Sequence, residues 1–147
     1  MNMSRLSRTL RRHEGSVVKG GRHYPYKDSV GKLTTGYGRN ITDKGFSEDE
    51  ARLMLHNDIQ EAANDARKFH WFDTLNDVRQ EVVVNMIFNM GYSRFKKFRN
   101  TINYIEEGRF EQASKEMLDS LWADQVGARA QELSRMMASG VVDEYSG

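Results

Sequence analysis

The spacing of apolar residues changes at Phe46, and this change constrains the fold more than any other feature of the chain. After Phe46, apolar residues recur at helical intervals. Ser47, followed three residues later by Glu50, forms a capping box of the kind that begins helices. These two features predict a long helix from 47 to about 69.

The rest of the C-terminal part is also patterned for helices. The run at 82–88 is apolar nearly all round, which is typical of a helix buried at the centre of a bundle. We expect Asn76 to cap this helix and Gly91 to end it. Shorter helices are predicted at 93–98, 100–107, 109–123 and 127–139.

The N-terminal part has a different residue pattern and composition. Met3, Leu6 and Leu10 form an apolar stripe of helical period, which predicts a helix over 4–13. Between 20 and 45 the chain carries several glycines, its single proline and an alternating run, all typical of short hairpins. Within this segment, the residues at 28–31 favour a type I turn.

Together these elements predict an α+β fold that is mainly helical and forms one domain over 1–147. We expect a small β lobe at 16–46, joined by the helix at 47–69 to a helical lobe at 70–145, which would include the N-terminal helix at 3–13. Two lobes joined by one helix leave a cleft suited to an extended ligand.

Composition excludes several classes of protein. The chain has no cysteine, so the fold needs no oxidising compartment. Residues 1–12 are basic and lack a continuous apolar run, so we expect neither a signal peptide nor a membrane anchor. Residues 1–39 hold nine Lys or Arg against two acidic residues. This excess suits an anionic polymer, although an ordinary solvated surface explains it equally well.

No cofactor or metal is predicted. The four histidines lack metal-ligand spacing, and no glycine loop matches a phosphate cradle. The basic N-terminal helix contains no nucleic-acid recognition motif, so we expect no nucleic-acid partner. Trp122 is expected in the core and not as a sugar platform.

Three residues of the N-terminal part could carry chemistry. Glu14 continues the apolar stripe at a helix C-terminus, and both conditions favour a protonated carboxyl group, the form that a general acid needs. Asp28 lies in the predicted turn, and Thr34 lies on a predicted strand with Gly36 and Gly38 on its face, leaving room for a ligand or a water. Each also has an ordinary interpretation: a solvated helix end, a turn cap and a strand threonine.

The order of the short motifs around these residues resembles the Glu…Asp…Thr pattern of the T-even phage lysozymes, glycoside hydrolase family 24. The motifs are His13-Glu14-Gly15, the stretch at 26–31 and the stretch at 34–38. The likeness continues through the capping box and the central helix to Trp122, Gln125, Arg129 and the tail at 139–145.

The resemblance implies an endo-acting muramidase that cuts between N-acetylmuramic acid and N-acetylglucosamine with inversion. Glu14 would be the general acid, Asp28 would stabilise the transition state and position the attacking water, and Thr34 would hold that water. The substrate-binding residues implied are Phe88, Asn89, Gln125 and Arg129, of which Arg129 would also pair with Glu14.

The resemblance further implies a salt bridge between Arg39, which stands where the family usually has a histidine, and Asp58. The partner expected is peptidoglycan. We expect a monomer without stable membrane insertion, held in the host cytoplasm until a separate membrane-permeabilising protein releases it to the wall.

The chain departs from the family pattern in two places. Thirteen residues separate Glu14 from Asp28, about five more than in the T-even enzyme, and residues 20–23 look like an insertion in a surface loop. The β lobe is also short after Gly38. Two rival functions stay open on the sequence: a lytic transglycosylase on the same fold, and a non-catalytic peptidoglycan-binding relative.

Overall fold

The computed structural model describes residues 1–143, and the chain divides into two compact units, Met1–Leu53 and Met54–Gly147. The first unit begins with helix α1, Met3–His13. The side chain of Asn2 caps this helix by accepting a hydrogen bond from the backbone N–H of Arg5 at 2.9 Å. The predicted helix over 4–13 is confirmed to within one residue.

Five short strands follow α1. Strands β1, Val17–Lys19, and β2, Arg22–Tyr24, form an antiparallel hairpin. Gly20 and Gly21 make its two-residue loop, and both have positive φ, 57° and 77°, as the tightest hairpin loops require. The segment at 20–23, expected as a surface-loop insertion, is therefore the tip of a regular hairpin.

The other three strands form a separate antiparallel sheet in the order β3-β4-β5. They are β3, Tyr26–Lys27, β4, Leu33–Thr35, and β5, Arg39–Asn40. The predicted turn at 28–31 joins β3 to β4, and its backbone hydrogen bond runs from the N–H of Gly31 to the carbonyl of Asp28 at 3.0 Å. The β lobe predicted from the glycines is confirmed.

The first unit continues through helix α2, Ile41–Lys44, into helix α3, Glu48–Ala66, within which the division between the units falls. The capping box at the start of α3 is present as predicted. Ser47 N–H donates to Glu50 Oε1 at 2.8 Å, and Glu50 N–H donates to Ser47 Oγ at 3.2 Å. Each side chain satisfies a backbone donor that the helix end would otherwise leave unpaired.

The second unit is helical throughout its regular elements. After a 3₁₀ turn at Phe72–Thr74, its helices are α4, Asp77–Met90; α5, Tyr92–Phe95; α6, Arg99–Glu106; α7, Phe110–Leu118; α8, Leu121–Val126; and α9, Ala128–Ser139. Of the residues that α4 contributes to the core, Val82, Val83 and Met86 are fully buried. This confirms that the apolar run at 82–88 belongs to the central helix of the bundle.

One predicted helix is in fact two. The segment at 109–123 was expected to be continuous, but the backbone leaves the helix at Asp119 and begins again after Ser120. The reason is local capping, because Ser120 Oγ accepts a hydrogen bond from the N–H of Ala123 at 3.1 Å. Trp122, the second residue of the new helix, is buried in the core as expected.

Helix α1 belongs by its contacts to the first unit, whereas the prediction grouped it with the helical lobe. A side-chain contact holds it there, because Arg11 donates a hydrogen bond from Nη2 to the hydroxyl of Tyr37 at 2.8 Å. Across residues 1–143, no helix combines the length and the apolar character needed to cross a membrane.

Candidate active site

Glu14 lies at the C-terminal cap of α1, where its N–H donates to the carbonyl of Leu10 at 2.8 Å. Its carboxyl group lies against Gly38: a Cβ atom added at Gly38 would come within 2.9 Å of both Cδ and Oε2 of Glu14. Only glycine, which has no Cβ atom, leaves this space open for the carboxyl group. The contact places a carboxyl group directly on the backbone of the turn between β4 and β5.

Two further observations define the surroundings of Glu14. The hydroxyl of Tyr26, on β3, donates to the carbonyl of Gly15 at 2.8 Å, so the residue after Glu14 is tied to the sheet. The side chain of Glu14 is exposed, whereas the apolar stripe predicted partial burial. The reason is that the stripe itself faces solvent: α1 has no buried residue, and Met3, Leu6 and Leu10 are all exposed.

Asp28 is the first residue of the β3–β4 turn and is half-buried. Its Oδ1 accepts two backbone hydrogen bonds, from the N–H of Val30 at 3.0 Å and from that of Lys32 at 2.8 Å. The turn-cap role considered for this residue is therefore present. The two bonds use one oxygen only, and Oδ2 makes no hydrogen bond to any residue of 1–143 in the structure.

Thr34 is buried in the middle of β4, where it pairs with Tyr26 on one side and Asn40 on the other. Its hydroxyl donates to the carbonyl of Lys32 at 3.1 Å. The donor is thus used, and the oxygen keeps lone pairs that can accept a hydrogen bond.

The two glycines near Thr34 do not share its strand. β4 ends at Thr35, so Gly36 and Gly38 belong to the turn that follows, and both have positive φ, 64° and 91°. A Cβ at Gly36 would meet nothing within 4 Å, whereas the space beside Gly38 is taken by Glu14. The predicted placement of both glycines on the strand face of Thr34 is therefore wrong, and the space beside Gly38 accommodates the candidate acid itself.

The carboxylate partner of Arg39 is Glu50, where the resemblance had implied Asp58. Arg39 Nη1 donates to Glu50 Oε1 at 2.9 Å, and Nη2 binds Glu50 Oε2. The capping box explains this choice, because it turns the carboxylate of Glu50 back toward the residues preceding α3. The hydrogen bond from Arg39, followed by those from Ser47, lowers the pKa of Glu50 to about 2.

The substrate-binding residues predicted in the second unit occupy varied surroundings. Phe88 is exposed on α4, and Asn89 Oδ1 accepts a hydrogen bond from Trp122 Nε1 at 2.8 Å. Gln125 Oε1 accepts from Arg94 Nη2 at 3.3 Å. Asn89 and Gln125 are thus already engaged through their side-chain oxygens.

Arg129 binds Asn85, which the sequence had not identified. Both Nε and Nη2 of Arg129 donate to Asn85 Oδ1, at 3.0 and 2.6 Å. Asn85 lies on α4, one turn before Asn89, and this helical spacing was the signal available in the sequence. The implied pairing of Arg129 with Glu14 stays a prediction.

Arg129, Asn85 and Phe88 line a groove of about 650 Å³ in the second unit. Leu55 and Ile59, on α3, also line it. An apolar wall with a few polar groups is the usual composition of a ligand groove. Two of the four predicted substrate-binding residues therefore share one groove of the second unit.

Tyr37 and Arg11 were also not identified from the sequence as residues of the site. Tyr37 stands between the two glycines of the β4–β5 turn, and an aromatic residue flanked in this way was the only signal of its role. Its hydroxyl and its ring both contact Arg11, with the guanidinium carbon 4.6 Å from the ring centroid.

Comparison with known proteins identifies the family of the chain. The phage lysozyme family model matches residues 16–138. Probable T4-type lysozyme 2 of Dictyostelium discoideum is 25% identical to the chain, covering 97% of it and 99% of the relative. Probable T4-type lysozyme 1 of the same organism is 28% identical over 82% of this chain and 88% of its own length.

A third relative is a much larger protein. The pre-baseplate central spike protein Gp5 of Enterobacteria phage T4 is 28% identical over 77% of this chain, which corresponds to 21% of the spike protein. The family match covers most of the sequence, including Asp28, Thr34 and the whole of the central helix. The chain therefore belongs to the phage lysozyme family, a family of lysozyme-type glycoside hydrolases.

Proposed function

We propose that this protein is an endo-acting muramidase, which hydrolyses the β-1,4 bond between N-acetylmuramic acid and N-acetylglucosamine in bacterial peptidoglycan with inversion. The observation that carries the proposal is the first unit's arrangement of two carboxyl groups. Glu14 rests on the β4–β5 turn at Gly38, and Asp28 projects from the β3–β4 turn of the same three-stranded sheet.

Glu14 acts as the general acid in this proposal. Cleavage of a glycosidic bond needs a proton on the leaving oxygen as the bond to the anomeric carbon breaks. Glu14 suits this role because no described residue of the first unit forms an ion pair with it. Its side chain is also exposed, so the carboxyl group can reach the leaving oxygen of a bound sugar.

Asp28 and Thr34 act on the water. Oδ2 of Asp28 and the lone pairs of the Thr34 hydroxyl are acceptors, so together they can take both hydrogens of one water. The oxygen of that water then presents its own lone pair to the anomeric carbon. The proton it loses passes to Asp28, which serves as general base and whose charge stabilises the oxocarbenium-like transition state.

The second unit is proposed to bind the glycan strand. Support comes from the groove of about 650 Å³, whose lining includes Phe88 and Arg129. The exposed ring of Phe88 offers an apolar face for a sugar, and Arg129 offers donors beside it. Asn89 and Gln125 are proposed as further polar contacts, made through their amide groups.

Product analysis tests the reaction. Purified peptidoglycan is digested in ¹⁸O-labelled water, and the fragments are examined by mass spectrometry and by NMR at early times. We expect muropeptides that end in a reducing N-acetylmuramic acid, carry one ¹⁸O atom at C1 and start as the α anomer. A digest incubated without the protein is the control.

Each rival predicts a different product. A lytic transglycosylase gives 1,6-anhydro ends without ¹⁸O, and a non-catalytic binding relative gives no fragments. A β anomer at early times, with ¹⁸O incorporated, contradicts inversion and keeps hydrolysis.

We further propose that the enzyme serves phage-induced lysis of the host, acting as a monomer held in the cytoplasm until a separate membrane-permeabilising protein releases it to the wall. The family name and the absence of any cysteine are consistent with this role. Bacteria that are induced to express this protein should lyse only when a membrane-permeabilising protein is co-expressed. Lysis without the second protein contradicts the proposed route. The match to a pre-baseplate central spike protein favours a second candidate role, as part of a phage particle, for which the protein would be found in the virion.

A further inference from the structure

Arg11 and Glu14 are three positions apart at the end of α1, a spacing at which side chains of a helix are neighbours. A basic residue at this spacing can form an ion pair with the acid. Arg11 does not: its Nη2 donates to the hydroxyl of Tyr37 at 2.8 Å, and its guanidinium carbon lies 4.6 Å from the centroid of the Tyr37 ring. The cation is thus turned toward the β4–β5 turn.

The same contact determines where the helix end meets the sheet. Tyr37 directly precedes Gly38, the residue on which the carboxyl group of Glu14 rests. Arg11 and Glu14 therefore contact consecutive residues of one turn. If the Arg11 side chain moved away from Tyr37, the end of α1 would be held less firmly against the turn. The guanidinium group of Arg11 could then approach the carboxyl group of Glu14.

We infer that Tyr37 is a positioning residue for Glu14, which fixes the end of α1 through Arg11 and keeps that cation away from the carboxyl group. The inference rests on the proposed role of Glu14 as the general acid. Tyr37 touches neither the substrate nor the reacting atoms in this account, and it acts only through Arg11.

Other titratable groups lie near the contact between Arg11 and Tyr37, and all the variants proposed below retain them. His23, from the β1–β2 hairpin, packs edge-on against the Tyr37 ring with centroids 4.8 Å apart. Tyr26 binds the carbonyl of Gly15 on the side of the sheet. Arg12 and His13 are further basic residues in the last turn of α1.

The first test is Tyr37→Phe, which removes the hydroxyl and keeps the ring. Arg11 loses its hydrogen bond and keeps only the contact with the ring, so it can turn toward Glu14, and an added cation keeps that carboxyl ionised to lower pH. Because the general acid must be protonated, the alkaline limb of the kcat/KM profile should move to lower pH by about one unit. At neutral pH kcat should fall by about tenfold, with KM changed by less than about twofold.

The double variant Arg11→Met with Tyr37→Phe separates charge from position. It has no cation to move, so the alkaline limb should return to its wild-type pH, while kcat stays below that of the wild type because the helix end is less firmly held. Tyr24→Phe is the matched control: Tyr24 is an exposed tyrosine of the β1–β2 hairpin whose hydroxyl makes no hydrogen bond in the described part of the chain. We expect Tyr24→Phe to match the wild type.

Thermal unfolding of every variant confirms that the fold is intact. A Tyr37→Phe enzyme with an unchanged pH profile and rate overturns the inference, and so does a double variant whose alkaline limb stays shifted. Both of those results leave the proposed function standing so long as Glu14→Gln is inactive. A fully active Glu14→Gln enzyme defeats the proposed function itself.

Discussion

Replacing Glu14 with Gln is expected to reduce the rate of peptidoglycan hydrolysis by about 10²- to 10⁴-fold, the range that general acids contribute. Gln has nearly the same shape as Glu, so it fits against Gly38 without moving the turn. It cannot donate a proton to the leaving oxygen as an acid does. The loss should therefore appear in kcat, with KM close to that of the wild type, in an assay that measures released reducing ends.

A control carboxyl group separates this effect from a general loss of charge. Glu48 is exposed and forms an i,i+4 ion pair with Arg52 at 3.0 Å, far along the chain from the candidate site. Exposed pairs of this kind contribute little to stability, so Glu48→Gln should keep full activity. If Glu14→Gln retained more than about a tenth of the wild-type rate with its fold intact, Glu14 would not be the acid.

Local signals in the sequence predicted most of the fold. The capping box of Ser47 and Glu50, the Asn76 cap and the stops at Gly91 and Gly140 are interactions between residues fewer than five positions apart, so a single stretch of sequence reveals them. The break at Ser120 was missed because the pattern of apolar residues continues across it. The extended backbone at Ser120 and the hydrogen bond from Ala123 show where the helix begins again.

The candidate site was predictable in its residues and less so in its contacts. Glu14 was expected at a helix end and Asp28 in a turn, and both lie there. The contact of Arg11 with Tyr37 spans 26 positions and depends on how α1 meets the sheet, which no local pattern encodes.

The partner of Arg39 shows the limit of resemblance. The likeness to the family implied Asp58, but the capping box had already oriented a nearer carboxylate, that of Glu50. Local geometry therefore determined this ion pair.

The strongest test of the site's geometry is Gly38→Ala, which we expect to lower kcat by about 10²-fold, the effect of displacing a catalytic group by about 1 Å. A Cβ at Gly38 would stand 2.9 Å from Glu14 Cδ and Oε2, too close for any carbon atom, so the carboxyl group must leave its seat. The variant changes neither carboxyl group chemically. A loss of activity therefore reports on where Glu14 lies.

Gly36→Ala supplies the matched control, since Gly36 belongs to the same turn, also has positive φ and has no atom within 4 Å of an added Cβ. Both variants carry the backbone strain of an alanine in this region, which costs about 1 kcal/mol or more and should lower both melting temperatures. Only Gly38→Ala should lose activity beyond what that strain explains. Equal rates in the two variants, with both folded at the assay temperature, would mean that the contact between Glu14 and Gly38 has no part in catalysis.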